Sequence, residues 1–188
     1  MRLVCLLFLI PFSFYGQDCF GIKGYAPFKV EMENGLQKIW YENGQLQLER
    51  NVENHIANGL QKEWYENGQL QSETNYKDGW INGLSRFWPD TLSNPEANYY
   101  RGYKSEIYFK CGDKDGLYRT WYINGQLNQE WNYKNGNRDG LQRTWFKNGQ
   151  LQYETNYKDG IQDGLQKQWF PNGQLKYERN YKEGKEIF

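Results

Sequence analysis

Along most of the chain, apolar and polar residues alternate in short runs that break at Asn-Gly or Asp-Gly pairs. Alternation with a period of two sets one face of a β-strand apart from the other, and a turn pair between two such runs marks a hairpin. Residues 59–77, GLQKEWYENGQLQSETNYK, form the clearest copy, with one run on each side of Asn67-Gly68. The signature is Trp, then Tyr or Phe, one residue, and Asn-Gly-Gln-Leu. It recurs in full at Trp40, Trp64, Trp121, Trp145 and Trp169, and a degenerate copy starts at Trp88. The intervals are 24, 24, 33, 24 and 24 residues. A fixed period of this length marks an array in which each unit is stabilised by its neighbours. The predicted fold is all-β: an elongated repeat array of antiparallel β-hairpins with a 24-residue period, forming one continuous meander sheet.

A register follows if Asn67-Gly68 is a two-residue type I′ loop, which needs φ > 0 at both residues. Tyr65 then faces Leu70, Trp64 faces Gln71, Lys62 faces Glu73 and Gly59 faces Tyr76. The other copies support it. Two residues before each tryptophan stands a base: Lys38, Lys62, Arg86, Arg119, Arg143 or Lys167. Its cross-strand neighbour is Glu49, Glu73, Glu130, Glu154 or Glu178, with Glu106 displaced by an insertion in the degenerate copy. Opposite charges across a ladder favour this register, and a one-residue slip would separate every pair. Likewise Gly35, Gly59, Gly116, Gly140 and Gly164 fall opposite Val52, Tyr76, Tyr133, Tyr157 and Tyr181, where a large side chain shields backbone that glycine leaves bare.

Between copies runs a second turn, Tyr-Lys-(Asp/Asn)-Gly-x-x-(Asp/Asn)-Gly, expected to be wider than the Asn-Gly tip. Six hairpins and a starting half strand, Phe28-Lys29-Val30, give about 13 strands and a sheet ~60 Å long at ~4.8 Å spacing. Tyr65, Leu70, Tyr76, Ile39, Leu48, Phe87, Tyr153 and Tyr177 are expected on the more buried face. Leu60, Lys62 and Trp64, with Gln71, Glu73 and Asn75, are expected on a half-exposed one.

The two ends and the third copy depart from the pattern. Residues 1–16 read as a cleaved secretory signal, with Arg2, an apolar run over 3–14 too short to span a bilayer, and cleavage near Gly16. Cys19 is not a lipid-attachment cysteine, because Asp18 and Gly16 stand where a small residue and a leucine belong. Residues 17–188 then form a single β-hairpin repeat domain, in the periplasm, on the outer surface or released. An oxidising envelope would allow Cys19 and Cys111 to pair, although they lie far apart along the array. In the third copy Pro89-Asp90 replaces the tip, and an insertion at about 89–105 carries Tyr99, Tyr100 and Tyr103. Tyrosines in a loop on a rigid frame are candidate binding residues. The charged final segment, 184–188, discourages edge-to-edge growth.

The motif G-L-Q-K-x-W-Y-x-N-G-Q-L-x-x-E-x-N-Y-K-D-G resembles the variant MORN repeat found in many bacterial proteins, some of them labelled antitoxin-like, and covers about residues 28–185. The resemblance implies rods or curved sheets of hairpins that act as protein- or membrane-contacting scaffolds, without catalytic residues. An antitoxin-like partner role fits poorly with a secretion signal.

Composition changes this picture little. The 23 basic and 23 acidic residues are interleaved and sum to zero, so no footprint for nucleic acid appears and charge gives no support to membrane contact. His55 replaces a turn glycine and has no nucleophile at motif spacing. The ladder glutamates already have basic partners, which keeps them ionised and unsuited to acid catalysis. Asp78, Asn82, Asp113, Asp115, Asp159 and Asp163 are explained by turn chemistry without calcium. No cofactor, metal or enzymatic motif is present, so the expected protein is non-catalytic. Two readings follow: an envelope scaffold that binds an unknown protein partner, or a glycan-binding module using half-exposed Trp40, Trp64, Trp121, Trp145 and Trp169. Intact-mass measurement of protein from its native host should give a mature N-terminus within a few residues of Gly16. Retention of Met1 in a soluble cytosolic pool would exclude export.

Overall fold

The computed structural model describes residues 32–90 and 104–188. The starting half strand at 28–30, the body of the insertion, and Tyr99, Tyr100 and Tyr103 lie outside the described residues. The fold within them is all-β. Fourteen strands run as β1 (Gly35–Trp40), β2 (Leu46–Glu53), β3 (Ile56–Ala57), β4 (Gly59–Trp64), β5 (Leu70–Lys77), β6 (Trp80–Phe87) and β7 (Lys104–Lys110), then β8 (Asp113–Trp121), β9 (Leu127–Lys134), β10 (Asn137–Trp145), β11 (Leu151–Lys158), β12 (Ile161–Trp169), β13 (Leu175–Lys182) and β14 (Lys185–Ile187). All pair antiparallel in chain order within one sheet, except that the two-residue β3 pairs only with β2.

The two kinds of turn are the reverse of those predicted. At the Asn-Gly tip, Gly68 N–H donates to Tyr65 O (2.9 Å) and Tyr65 N–H donates to Gln69 O (2.8 Å). The loop is therefore three residues, Glu66-Asn67-Gly68, and of these only Gly68 has positive φ (83°). Trp64 pairs with Leu70 rather than Gln71, so Tyr65 does not face Leu70. The register recovers one step later, where Glu63 pairs with Ser72 and leaves Gln71 as a bulge. One residue gained in the loop is offset by one skipped in the strand, and Lys62 faces Glu73 as expected. The bulge is not left unpaired, since Trp88 N–H donates to Gln71 O (2.8 Å).

The second turn is the two-residue type I′ loop. Lys158 pairs with Ile161 across Asp159-Gly160, whose φ values are 50° and 85°. Asp78-Gly79, Cys111-Gly112, Asn135-Gly136 and Glu183-Gly184 repeat this geometry, and Asn54-His55 does so with histidine in the glycine place. The extra length that suggested a wide turn sits inside the next strand: Tyr157 pairs with Gln162 and Thr155 with Gln166, so β12 bulges around Gly164. Asparagine is retained at the tip for its side chain. Asn67 Oδ1 accepts from Gln69 N–H (2.9 Å), and Asn43, Asn124, Asn148 and Asn172 make the equivalent bond.

The basic–acidic pairs join into one row. Lys38, Glu49, Lys62, Glu73, Arg86, Glu106, Arg119, Glu130, Arg143, Glu154, Lys167 and Glu178 are consecutive register partners across the sheet, alternating in sign throughout. Pairs close to 2.9 Å at Lys38–Glu49, 2.8 Å at Arg119–Glu130 and 2.7 Å at Arg143–Glu154. Arg86 reaches both Glu73 (3.5 Å) and Glu106 (3.3 Å). The side chains are partly exposed, so each contact contributes only ~0.2–1 kcal/mol, and their common effect is to hold register.

The face carrying Gln61, Thr74 and Tyr76 is the more buried, but its deepest positions are not the expected tyrosines and leucines. Among the described residues the buried apolar side chains are Val52, Ala57 and Cys111, while Thr74, Thr120, Asn128, Gln142, Thr155 and Gln166 are buried and polar. Among the described residues no layer opposes this sheet, so depth is greatest for short side chains between long neighbours. These groups bond one another. Thr74 and Ser85 hydroxyls lie 2.9 Å apart, Asn128 Nδ2 donates to Thr120 Oγ1, and Gln142 Nε2 donates to Asn132 O. Leu70, as the register partner of Trp64, belongs to the opposite, ladder face.

A continuous row alters what a charge swap should do. Combining Lys62→Glu with Glu73→Lys restores that pair, but sets the new glutamate against Glu49 and the new lysine against Arg86. The double variant should therefore stay about 0.5–2 kcal/mol less stable than the parent in urea unfolding. Recovery to the parent value would show that the pairs act independently.

Candidate interaction surfaces

The ladder face carries three stripes. The ionic row lies between a leucine stripe and a tryptophan stripe, because Leu60, Lys62 and Trp64 sit two residues apart on one strand. Trp40, Trp64, Trp121, Trp145 and Trp169 pair with Leu46, Leu70, Leu127, Leu151 and Leu175. Trp40 is 56% exposed and the other four are half-buried. In the leucine stripe, Leu36, Leu60 and Leu165 are 64%, 42% and 42% exposed. Each faces an asparagine: Asn51, Asn75 and Asn180 face Leu36, Leu60 and Leu165. Asn75 Nδ2 also donates to Leu84 O (2.8 Å) across the next bulge.

Both edges are tied copy to copy. On the tip edge Tyr41, Tyr65 and Tyr122 hydroxyls donate to the carbonyls of Trp64, Trp88 and Trp145. Asn43, Asn124 and Asn148 Nδ2 donate to Glu66, Lys147 and Pro171 carbonyls, and Asn67 Nδ2 donates to Asp90 Oδ1. On the turn edge Gly79, Gly112, Gly136, Gly160 and Gly184 N–H groups donate to Ala57, Ile81, Lys114, Arg138 and Gln162 carbonyls. The tyrosine and asparagine of the signature therefore stack the array.

Of the turn residues weighed for calcium, three have a structural role in the sheet. Asp78 and Asp159 occupy the first type I′ position, and Asp163 accepts from Lys182 Nζ (3.0 Å) and Glu183 N–H (3.3 Å). The Lys182 ammonium holds the Asp163 carboxyl below the usual range. Among the described residues no group of three or more His, Cys, Asp or Glu is placed to hold a metal ion. His55 N–H donates to Asn34 Oδ1 (2.8 Å), and its Nδ1 lies 2.9 Å from Met32 O. Cys111 is buried, sits at φ 51° in a turn, and is disulfide-bonded. Cys19 lies outside the described residues.

One cluster escaped the sequence reading. Three residues before Trp40, Trp64, Trp145 and Trp169 stands glutamine, but before Trp121 stands Tyr118; ten after Trp64 and Trp145 stands threonine, but after Trp121 stands Trp131. Aligning the copies against one another would have revealed both. Tyr118 and Trp131 are register partners with ring centroids 5.7 Å apart, and Tyr133 lies 6.4 Å from Tyr118. Lys114 Nζ lies over Tyr133 at 5.0 Å and the Arg138 guanidinium over Trp131 at 4.2 Å. Burial, with Tyr133 adding to it, raises the Tyr118 hydroxyl above its ordinary value; burial first also raises Tyr76 and Tyr153.

These shifts give a signed pH dependence. The unfolded chain ionises Tyr76, Tyr118 and Tyr153 near the ordinary value of 10.0, before the folded one does. Stability is therefore complete below that pH and falls as pH rises through the folded values. The urea midpoint should drop between about pH 9 and pH 11, with tyrosinate absorbance appearing alongside unfolding, and Tyr118→Phe should shrink the drop. Ionisation of Tyr118 at its ordinary pH in the folded protein would refute the assignment.

Comparison with known proteins agrees with the copies. The family described as MORN repeat variant matches residues 33–54, 57–78, 114–135, 138–159 and 162–183, together more than half of the chain. The gap between the second and third matches holds the degenerate copy at Trp88. No curated protein matches the chain. With five matched copies, each carrying the same hairpin and ladder pair, the chain belongs to the MORN repeat variant family.

Proposed function

We propose that this protein is an exported, non-catalytic scaffold that binds protein partners on the ladder face of its sheet. Repeats of this family suggest a repeat-based role in protein–protein or membrane binding. The carrying observation is the division of that face. Its charges neutralise one another within the sheet, whereas Leu36, Leu60, Leu165 and Trp40 stay exposed on both sides of the ionic row. A partner gains most by covering leucine and tryptophan, and charged residues aligned with the row would fix its position along the array. The balanced charge of the chain favours protein over an anionic lipid surface. Export is supported by the apolar run at 3–14.

Glycan binding by the tryptophan stripe is the competing reading. Its support is weaker, because four of the five rings are half-buried and each is paired with a leucine. The test is crosslinking and pull-down of the mature protein from native envelope, parent against the triple variant Leu36→Lys, Leu60→Lys, Leu165→Lys. Each substitution is at an exposed position and should change stability by roughly 0.5 kcal/mol or less. Partner recovery should fall more than about tenfold, and protease treatment of the envelope should abolish it. Unchanged recovery by the variant, or binding to isolated envelope polysaccharide that survives protease, would overturn the protein-binding reading.

A further inference from the structure

The face opposite the ladder changes character between β8 and β10. Two residues before the strand glycine, the copies carry Glu33, Ala57, Ile81, Lys114, Arg138 and Gln162 in turn, so cations stand there in two adjoining copies. Lys114 Nζ lies 5.6 Å from the centre of the Tyr118 ring and 5.0 Å from that of Tyr133. The Arg138 guanidinium lies 4.2 Å from Trp131 and 5.5 Å from Tyr157. Tyr118 and Trp131 are themselves departures from the glutamine and threonine of regular copies. Cations and rings thus change together, in one place.

The charge balance there is one-sided. Each base of the ionic row has a glutamate within ion-pair distance. Among the described residues neither Lys114 nor Arg138 has a carboxylate so placed, although Asp115 and Asp139 follow them in the chain. Asp139 Oδ2 instead accepts from Asp159 N–H (3.1 Å). From β7 to β12 the register positions of this face hold no acidic residue. Lys114 is exposed and Arg138 half-buried. A cation drawn to a ring face still keeps N–H groups free, and a guanidinium can meet one carboxylate with two parallel bonds.

The rings favour a protein ligand over a sugar. A sugar stacks on an open aromatic face, but Trp131 carries the guanidinium and has Tyr118 tilted at 55° against it, while Tyr133 carries the ammonium with Tyr118 edge-on at 79°. They serve to fix the two cations and to give a partner apolar ring edges. Lys114 and Arg138 hold equivalent places on β8 and β10, two strand spacings or about 10 Å apart. We propose that this cluster is a docking site for an acidic segment of a partner protein, held through carboxylates about 10 Å apart. It lies on the face opposite the ladder and stands independently of the reading given for that face. A near-uniform array lets a partner bind at any copy, and a cluster confined to one hairpin and its neighbour fixes where along the array an acidic segment sits.

The test uses the full-length chain and a fluorescein-labelled peptide of repeated Glu-Pro-Pro. Its polyproline II backbone presents one carboxylate per turn, every ~9.3 Å. Fluorescence anisotropy should show saturable binding that weakens as salt rises, with no binding of the matching Gln-Pro-Pro peptide. The double variant Lys114→Ala, Arg138→Gln takes the residues of Ala57 and Gln162, so the repeat tolerates both. It should bind at least ~10-fold more weakly than the parent. Lys134→Gln with Lys158→Gln removes the same charge from exposed turn positions and should bind like the parent. Trp131→Thr with Tyr118→Gln, which restores the regular pattern, should weaken binding while leaving the cations in the chain. Failure of the parent to bind the acidic peptide, or equal binding by the parent and the Lys114/Arg138 variant, would overturn the proposal. So would an equal loss in the turn-lysine control, or tighter binding of a polyuronate or of phosphatidylglycerol vesicles at this cluster than of the peptide.

Discussion

The sheet has no second layer among the described residues, and most of the structure answers to that constraint. An ordinary β-protein holds register by burying one hydrophobic face against another layer. Here the buried apolar set among the described residues is Val52, Ala57 and Cys111. Register must be held within the sheet itself. The alternating row from Lys38 to Glu178 does this, since any strand that slips by one residue loses its partners on both sides. The tip asparagines and tyrosines add hydrogen bonds from one copy to the next, and the turn glycines add a second line along the opposite edge.

The same constraint explains the polar interior. Side chains on the inner face are covered by same-face neighbours, so threonine and glutamine between longer residues become the deepest groups. They remain there because they bond to one another, as Thr74 does to Ser85 and Gln166 to Tyr177. Where the fourth copy substitutes Tyr118 and Trp131, that network gives way to ring packing flanked by Lys114 and Arg138. Regular copies provide a uniform frame. Irregular ones give one region of it a distinct chemistry, and Trp80, Cys111, Tyr118 and Trp131 all lie there.

Much of this protein was legible in its sequence. The 24-residue period, the antiparallel order and the Lys/Arg–Glu and Gly–Tyr partners follow from local alternation and from charges repeated at fixed spacing. These features survive an error in turn type because register depends on the sum of loop and bulge. A three-residue loop with the Gln71 bulge gives Lys62 the same partner as a two-residue loop without one. Three things were decided only in the assembled sheet. The type I′ geometry falls to the turns between copies, Asn135-Gly136 among them, and not to the Asn-Gly tips, because the tip asparagine side chain is engaged in bracing its own turn and reaching the next copy. The ionic pairs become one row, because the second partner of each charge comes from the adjoining hairpin. Burial settles on Thr155 and Gln142 rather than on tyrosine, because depth in a single layer is set by which side chains crowd around a position across copies, and no single copy's pattern records that.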